Sequence, residues 1–562
     1  MIRIRQTLSL ILSSIPIPGF LSAENLQPSA AHLQWIYFAP VNEEAFTAQH
    51  LSEIPDQLPR PDGSLVSAQA AEFQDRAIDL SAALNNGAFV PEKTLAVFYS
   101  RLYSETTRSI TMGSGADWWM TWYVNGKEIF TTQPGGNRRL DFNVFDHRFE
   151  LPLEAGGNII AVKVWSGSAG WRFATATKDE IEAIEKDLVL NPLDAVISSP
   201  KDPPVNLPDP LLVDGAPPIL SAEEWLERGR PQLVEHYVRE QYGRLPNEWD
   251  KLAFAWTSRD EPVPDSPALR SELEITLQRK GHSLSYPVTF FTPPRDQPIR
   301  GTWIHINHRG KDFGQDPDNG FCPINTIIGK GYALISYAPG HVAPDHVDHF
   351  DEGILRLYSE ELEKADGCRT IGAWAWGVSR IIDYLERDPR FPVDRIAVIG
   401  HSRSSNTAQW TAVIDTRVTL VCSNNGDSLE RRPFGQAISK TNLIFPHWYN
   451  DNFKRYDNNE DALPFDAHWL VAGVAPRNFH LGSGVLDLNA DPRGQYLGVS
   501  EANPVYALFD MEGLPTDDSP VLDRLVLGDG LAFHARMGGH GMTHLDWEHY
   551  LTHADKLWSP YP

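Results

Sequence analysis

Residues 396–408 read IAVIGHSRSSNTA: an apolar run from Ile396 to Ile399, a turn through Gly400, His401 and Ser402, and a stretch that readily forms a helix. A strand, a sharp turn carrying a serine and a helix make a nucleophile elbow. A bare serine hydroxyl is a poor nucleophile at neutral pH. An elbow holds the oxygen of Ser402 exposed above a sheet, where a histidine can take its proton and a helix N-terminus faces the developing negative charge. The usual Gly-x-Ser-x-Gly has become Gly400-His401-Ser402-Arg403-Ser404, and Gly-x-Ser also occurs in ordinary strand-to-helix turns. The rest of the chain has to carry the reading.

Further strand candidates are Thr302 to Ile306, Tyr332 to Tyr337, Val418 to Cys422, Phe479 to Leu481 and Leu531 to Met537, with helical stretches such as Gly372 to Glu386 between them. Ser221-Ala222-Glu223-Glu224 has the form of a capping box opening a helix to about Tyr242. Such alternation predicts an α/β fold with a largely parallel sheet covered by helices. In such sheets ligands bind beyond the carboxyl ends of the strands. The residues there are Ser402; then Asn424, Asn425 and Asp427; then Asp487 and Asp491; then His540 in RMGGH.

The order Ser402, acid, His540 is that of α/β-hydrolases. Gly538 and Gly539 give His540 a flexible turn just past a strand, whereas His544 and His549 sit in a stretch that reads as helix. The acid must hold the imidazole in one tautomer and stabilise its cation. Asp487 fits best, Asp427 is the alternative, and Asp491 is placed to cap the turn before Arg493-Gly494.

With 562 residues, 41% of them hydrophobic, the chain exceeds what one core normally organises, and at least two domains are expected. A formal net charge of −25 without any basic stripe repels phosphate and anionic membrane surfaces, and nucleic acid is excluded as a partner. Arg3 and Arg5, an apolar stretch from Leu8 to Leu21 and then Leu21-Ser22-Ala23 predict a secretory signal over residues 1–23 and a secreted or periplasmic mature protein. No later segment reaches the length of a membrane span. The cysteines, Cys322, Cys368 and Cys422, lack the short paired spacings of zinc sites and can form at most one disulfide.

Residues 24–190 are rich in short alternating strands. Trp119 to Val124 runs into Asn125-Gly126 and returns as Lys127 to Thr131, a two-residue hairpin signature. A later pair, Arg148 to Leu153 and Asn158 to Trp165, flanks the turn residues Glu154 to Gly157. A β-sandwich is expected. Trp118, Trp165 and Trp171 are candidates for stacking on sugar rings, although alternate aromatics more often fill a sandwich core. Residues 191–218 hold NPLDAVISSPKDPPVNLPDPLLVDGAPP, whose prolines predict a semi-rigid linker before the domain at 219–562.

The stretches EHYVREQYGRLP, GAWAWGVSRIIDYLE, IAVIGHSR, FPHWYNDNFKRYDNNEDALPFDAH, APR, DLNADPRG and GGH resemble the glucuronoyl esterases, the fifteenth family of carbohydrate esterases, especially its bacterial members. The segment WWMTWYVNGKEIF followed by LPLEAGGNIIAVKVWSGSAGWRF resembles jelly-roll domains appended to carbohydrate-active enzymes. The first resemblance implies a three-layer α/β-hydrolase sandwich that cleaves esters between glucuronic acid of xylan and lignin alcohols, with no metal or organic cofactor. It makes Ser402 the nucleophile, His540 the general base, Asp487 the acid and Arg403 an oxyanion stabiliser through its backbone N–H and guanidinium. The family's other position for the acid is Asn425 here, which favours Asp487 again.

In the sugar site the chain departs from that family. Where members continue with Gly and Lys, Ser405 and Asn406 stand, and Gln436, Ala467 and Asn489 align with a glutamate, a glutamine and a nearby tryptophan. Asn406, about one helical turn past the nucleophile, is expected near the pocket mouth, with Gln436, Trp448 and Asn489 as further substrate contacts. The expected function is a secreted serine carboxylic-ester hydrolase acting on plant or algal polysaccharide esters or lignin-carbohydrate esters, of the 4-O-methyl-glucuronoyl methylesterase type. The alternatives are an acetyl or other carbohydrate esterase with an altered pocket, or a catalytically silent carbohydrate-binding relative.

Overall fold

The elbow strand, Ile396–His401, lies inside a ten-stranded sheet. From edge to edge the order is Lys251–Pro262, Leu269–Arg279, His282–Thr292, Ala333–Tyr337, Thr302–Ile306, Ile396–His401, Leu420–Asn424, Asn478–Gly484, Leu531–Arg536 and Leu525–Leu527. The run from Ala333–Tyr337 to Leu531–Arg536 is parallel throughout, and the strands outside it pair antiparallel. A computed structural model describes residues 33–559 apart from 74–75, 86–89, 92, 134–143, 145–146, 168–169, 183–206, 213–216, 427–428, 432–437, 488–489 and 515–521. The expected leader, Asp427, Gln436, Asn489 and most of the linker lie outside the described residues.

The parallel strands are predominantly apolar because both of their faces are buried. Ile304, Ile306, Val398 and Val421 face a core shared with Trp374, Trp410 and Trp469. The intervening Trp303, Ala397, Ile399, Leu420 and Cys422 face a second core with Ile327, Trp547 and Leu551. Helices Thr370–Leu385, Arg403–Ile414 and His468–Val474 therefore cover one face, and Ile324–Gly329 and His544–Leu557 the other. This is the layered α/β-hydrolase arrangement. The three cysteines are buried and unpaired.

Two elements differ from expectation. The three long antiparallel strands between Lys251 and Thr292 are additional to the strands expected. The helix from Ala222 to Tyr242 contains two π-helical turns, Trp225–Gly229 and Val238–Tyr242. Its start is capped as expected, with Ser221 Oγ accepting from the Glu224 N–H at 3.2 Å. Part of the proline-rich segment packs as well: the Pro208 carbonyl accepts from Trp469 Nε1 at 2.9 Å and lies 2.8 Å from His468 Nε2.

The chain divides into two compact units, Met1–Ile184 and Glu185–Pro562. The first holds a six-stranded and a four-stranded sheet, whose side chains share a core around Trp35, Trp122 and Phe173. The Trp119–Val124 hairpin is present, with Asn125 and Gly126 at φ of 49° and 83°. The later pair is not a hairpin. His147–Leu153 pairs with Arg108–Ala116, whereas Gly156–Trp165 pairs in the other sheet, so the intervening turn carries the chain between sheets. Trp165 and Trp171 are buried, their indole N–H groups donating to Glu43 and to the Val164 carbonyl. Neither can stack on a sugar; Trp118 alone of the three is half-exposed.

Candidate active site

The elbow strand ends in Ser402 at φ 57° and ψ −132°, a conformation that costs an L-residue on the order of 1–3 kcal/mol and persists only where its surroundings fix it. Here they do. The Ser402 N–H donates to the Asn424 carbonyl of the next strand at 2.9 Å, and the Ser402 carbonyl accepts from the Ser405 N–H at 2.7 Å. A Cβ on Gly400 would lie 1.9 Å from the Ser404 carbonyl oxygen, so only glycine lets the helix turn back this tightly. Ser402 thus sits half-buried at the N-terminus of Arg403–Ile414, whose first N–H groups lack intrahelical partners.

Beyond two neighbouring strands lie the acid and the histidine. His540 Nδ1 is 2.7 Å from Oδ2 of the buried Asp487. The same oxygen accepts from Asn425 Nδ2 at 2.5 Å, and Oδ1 accepts from the Ala490 N–H at 3.2 Å. The His540 ring centroid is 4.5 Å from that of His401, the residue before Ser402. His544 and His549 lie on the helix His544–Leu557. Asp491 is the N-cap of Pro492–Ser500, accepting from the Gly494 N–H at 3.0 Å. Asn425, at the position where the family resemblance implies an alternative acid, donates to Asp487.

His401 is buried, with Nδ1 2.8 Å from Asn424 Oδ1. Burial, reinforced by His540, Arg309 and His308, pushes its pKa well below the ordinary histidine value. A neutral ring therefore lies beside His540 and adds no charge to oppose an imidazolium there.

The Arg403 guanidinium is ion-paired with Asp345 and lies 4.9 Å from both the Phe445 and Trp448 ring centroids. Those rings stack at 3.8 Å and 3°. Asp345 Oδ1 also accepts from Trp448 Nε1 at 2.9 Å and lies 2.9 Å from His447 Nε2. Burial alone would raise the Asp345 carboxyl, but the His447 contact, the charge of Arg403 and the hydrogen bonds from Trp448 and Arg403 hold it well below its usual range. The side chain expected to meet an oxyanion is thus already matched by a carboxylate. Asp345, His447 and Phe445 were not among the expected residues, and no periodic pattern in the sequence marks them.

The expected substrate contacts separate. Trp448 is 6% exposed, with its N–H on Asp345 and one face under Phe445. Asn406, expected at the pocket mouth, is 2% exposed and donates to the Tyr449 hydroxyl at 3.1 Å. It faces inward because residues one turn down this helix run along the sheet, not toward its rim. There it lines a small pocket with Tyr237, Gln241, Tyr242, Gln409 and Ala467. Ser405, in place of the usual glycine, is 2.5 Å from Ser423 Oγ, and Gly426 makes room for it, since a Cβ there would lie 2.1 Å from Ser405 Oγ.

Comparison with known proteins points the same way. Residues 318–509 match the family model described as glucuronyl esterase, fungi. A carbohydrate esterase from an unknown prokaryotic organism is 30% identical over 391 residues, covering 63% of this chain and 90% of that protein. The 4-O-methyl-glucuronoyl methylesterase 1 of Phanerochaete chrysosporium is 28% identical over 48% of this chain and 55% of its own. Among solved structures, the glucuronoyl esterase from Solibacter usitatus aligns with a TM-score of 0.60 at 28% identity, over 64% of this chain and all of that one. That from Teredinibacter turnerae aligns with a TM-score of 0.57 at 26% identity, over 63% and 89%. Elbow, layered sheet and these likenesses converge: the chain belongs to the glucuronoyl esterases, carbohydrate esterase family 15, and is a carboxylic-ester hydrolase of that type.

Proposed function

We propose that Ser402 attacks the carbonyl of a uronic-acid ester while His540, oriented by Asp487, takes the hydroxyl proton. The oxyanion is met by the backbone N–H of Arg403 at the helix N-terminus, with the guanidinium contributing from its seat on Asp345. Collapse of the tetrahedral species expels the alcohol, which receives the proton from His540, and water then cleaves the acyl-Ser402 by the same route. The observation that carries this reading is the 2.7 Å contact between His540 Nδ1 and the buried Asp487, beyond the strands Leu531–Arg536 and Asn478–Gly484 of the same sheet. It fixes the tautomer that leaves Nε2 for proton transfer.

The substrate we infer is a glucuronoyl ester of plant or algal polysaccharide, hydrolysed after secretion by the leader of residues 1–23. We also read the first unit as a jelly-roll-like β-sandwich. A second reading, an acetyl or other carbohydrate esterase, is favoured by Asn406, a short neutral side chain turned onto Tyr449 where relatives carry a lysine. Hydrolysis of methyl glucuronate, benzyl glucuronate and acetylated xylan by the wild-type chain separates the two. Ser402→Ala should lower turnover on the preferred ester by on the order of a thousandfold or more with an unchanged circular dichroism spectrum. Near-normal turnover in that variant would sink the assignment.

A further inference from the structure

We propose that Arg536 is a positioning residue for this reaction, clamping the glycine-rich loop that carries His540; the inference rests on the roles given above to His540 and Asp487. Arg536 is buried at the end of the Leu531–Arg536 strand. Its Nε donates to Asp546 Oδ2 at 2.6 Å. Its Nη1 donates to the Met537 carbonyl at 3.3 Å, and its Nη2 donates to the carbonyls of Gly539, at 3.3 Å, and Gly541. Gly539 and Gly541 are the residues on either side of His540. The same Nη2 is 3.5 Å from Asn425 Oδ1, and Asn425 in turn donates to Asp487. One planar fork therefore touches the peptide groups flanking the base and the amide that supports the acid.

The loop needs such a clamp. Gly538-Gly539-His540-Gly541 has few side chains to pack, and glycine is the residue with the most backbone freedom to lose. A base must be held within a fraction of an ångström of its productive position. Only arginine presents several donors in a fixed plane; lysine would keep the charge opposite Asp546 but not reach several carbonyls at once. The anchor is itself fixed. Asp546 accepts from the Thr543 N–H and hydroxyl at 2.7 and 2.8 Å and from the buried Asn424 Nδ2 at 3.0 Å.

The test is a double-mutant cycle in the full chain, read as kcat and KM on benzyl glucuronate. Arg536→Lys should lower kcat by about 10- to 100-fold, the range expected for a base displaced by up to 1 Å, with KM within about twofold because no substrate contact is lost. In the Asp487→Asn background the same substitution should cost less than about threefold, because a base already disoriented gains little from the clamp. An unchanged kcat, or an equal loss in both backgrounds, would overturn the proposal. Should Arg536→Lys not fold, Arg536→Gln combined with Asp546→Asn removes both buried charges together and is judged by the same cycle. Failure of the underlying reading shows separately, as Ser402→Ala retaining activity.

Discussion

Two histidine–aspartate pairs lie within one stretch of this fold, and in the mechanism proposed here only one of them moves a proton. His534 Nε2 is 3.0 Å from Asp546, and its Nδ1 is 2.9 Å from His480 Nε2, so both ring nitrogens are engaged by buried groups. The side chains of His534 and Asp546 are fully buried, and Asp546 is also ion-paired with Arg536. His540 contacts Asp487 at 2.7 Å through Nδ1, its side chain is 10% exposed, and Asn425 Nδ2 donates to the same carboxylate oxygen. Distance alone does not distinguish the pairs. Access to the ring does.

Exchange of the two histidines' fates breaks this comparison most directly. His540→Ala should lower kcat by on the order of a thousandfold or more while the thermal midpoint stays near that of wild type, because the ring fills little of the core. His534→Ala should do the reverse. It leaves a cavity and unpaired buried polar groups, at a cost of several kcal/mol, roughly 3–5 if the Asp546 network loosens, with a far smaller loss of kcat in the molecules that remain folded. Thermal unfolding beside steady-state kinetics checks both. A His534→Ala enzyme of wild-type stability would mean that the buried pair is not structural.

Sequence patterns made one side of this arrangement legible and left the other hidden. The parallel strands stand out because burial on both faces demands mostly apolar runs, and their ends then locate Ser402, Asp487 and His540. The antiparallel strands from Lys251 to Thr292 are half-buried and mix charge with apolar residues. In Leu269–Arg279 the inward Ser271, Leu273, Ile275, Leu277 and Arg279 alternate with Glu272, Glu274 and Gln278, a period that competes poorly with longer apolar stretches. The partners of the site residues were illegible for a different reason. Asp345 meets Arg403 across 58 positions and Asn424 meets Asp546 across 122, and no local rule links residues so distant. The inward turn of Asn406 belongs to the same class, since helical spacing fixes its rise along the axis but not what packs against that face.

Lowering the pH sharpens the distinction at smaller cost. His480, His401 and His308 are pushed well below the ordinary histidine value, chiefly by burial, and burial brings His553 down to about 4. Their folded forms are neutral, whereas the unfolded chain takes up protons near 6.5. The stability they leave intact above about pH 6.5 is therefore lost as pH falls below it, until the folded form protonates as well. For each such histidine the loss reaches about 2 kcal/mol at pH 5. The thermal midpoint should fall between pH 7.5 and 5, and His553→Gln should flatten that fall. A midpoint independent of pH over this range would contradict the neutral buried network.

The smallest expected effect tests whether a buried polar group can be turned from structure to substrate. Asn406 donates to Tyr449, and beside Ala467 it lines a pocket walled by Tyr237, Tyr242, Gln241 and Gln409, with Glu430 also on the lining. The resemblance to the family aligns a lysine and a glutamine with positions 406 and 467, so two shorter side chains stand here where it implies longer ones. Asn406→Lys introduces a charge that burial opposes, and only Glu430 among the pocket residues carries the opposite sign to receive it. Unlike Arg536, whose carboxylate partner is already fixed, the new ammonium must compete for a partner. Stability should fall by no more than about 1–3 kcal/mol. The longer donor should improve kcat/KM on methyl glucuronate by about two- to tenfold, mostly through KM, since a hydrogen bond to a sugar hydroxyl is worth roughly 0.5–1.5 kcal/mol. Steady-state kinetics on methyl glucuronate and acetylated xylan decides it. High wild-type activity on the glucuronate that the lysine leaves unchanged would show that this pocket holds the same sugar through other residues, and that the shortened side chains at 406 and 467 serve packing alone.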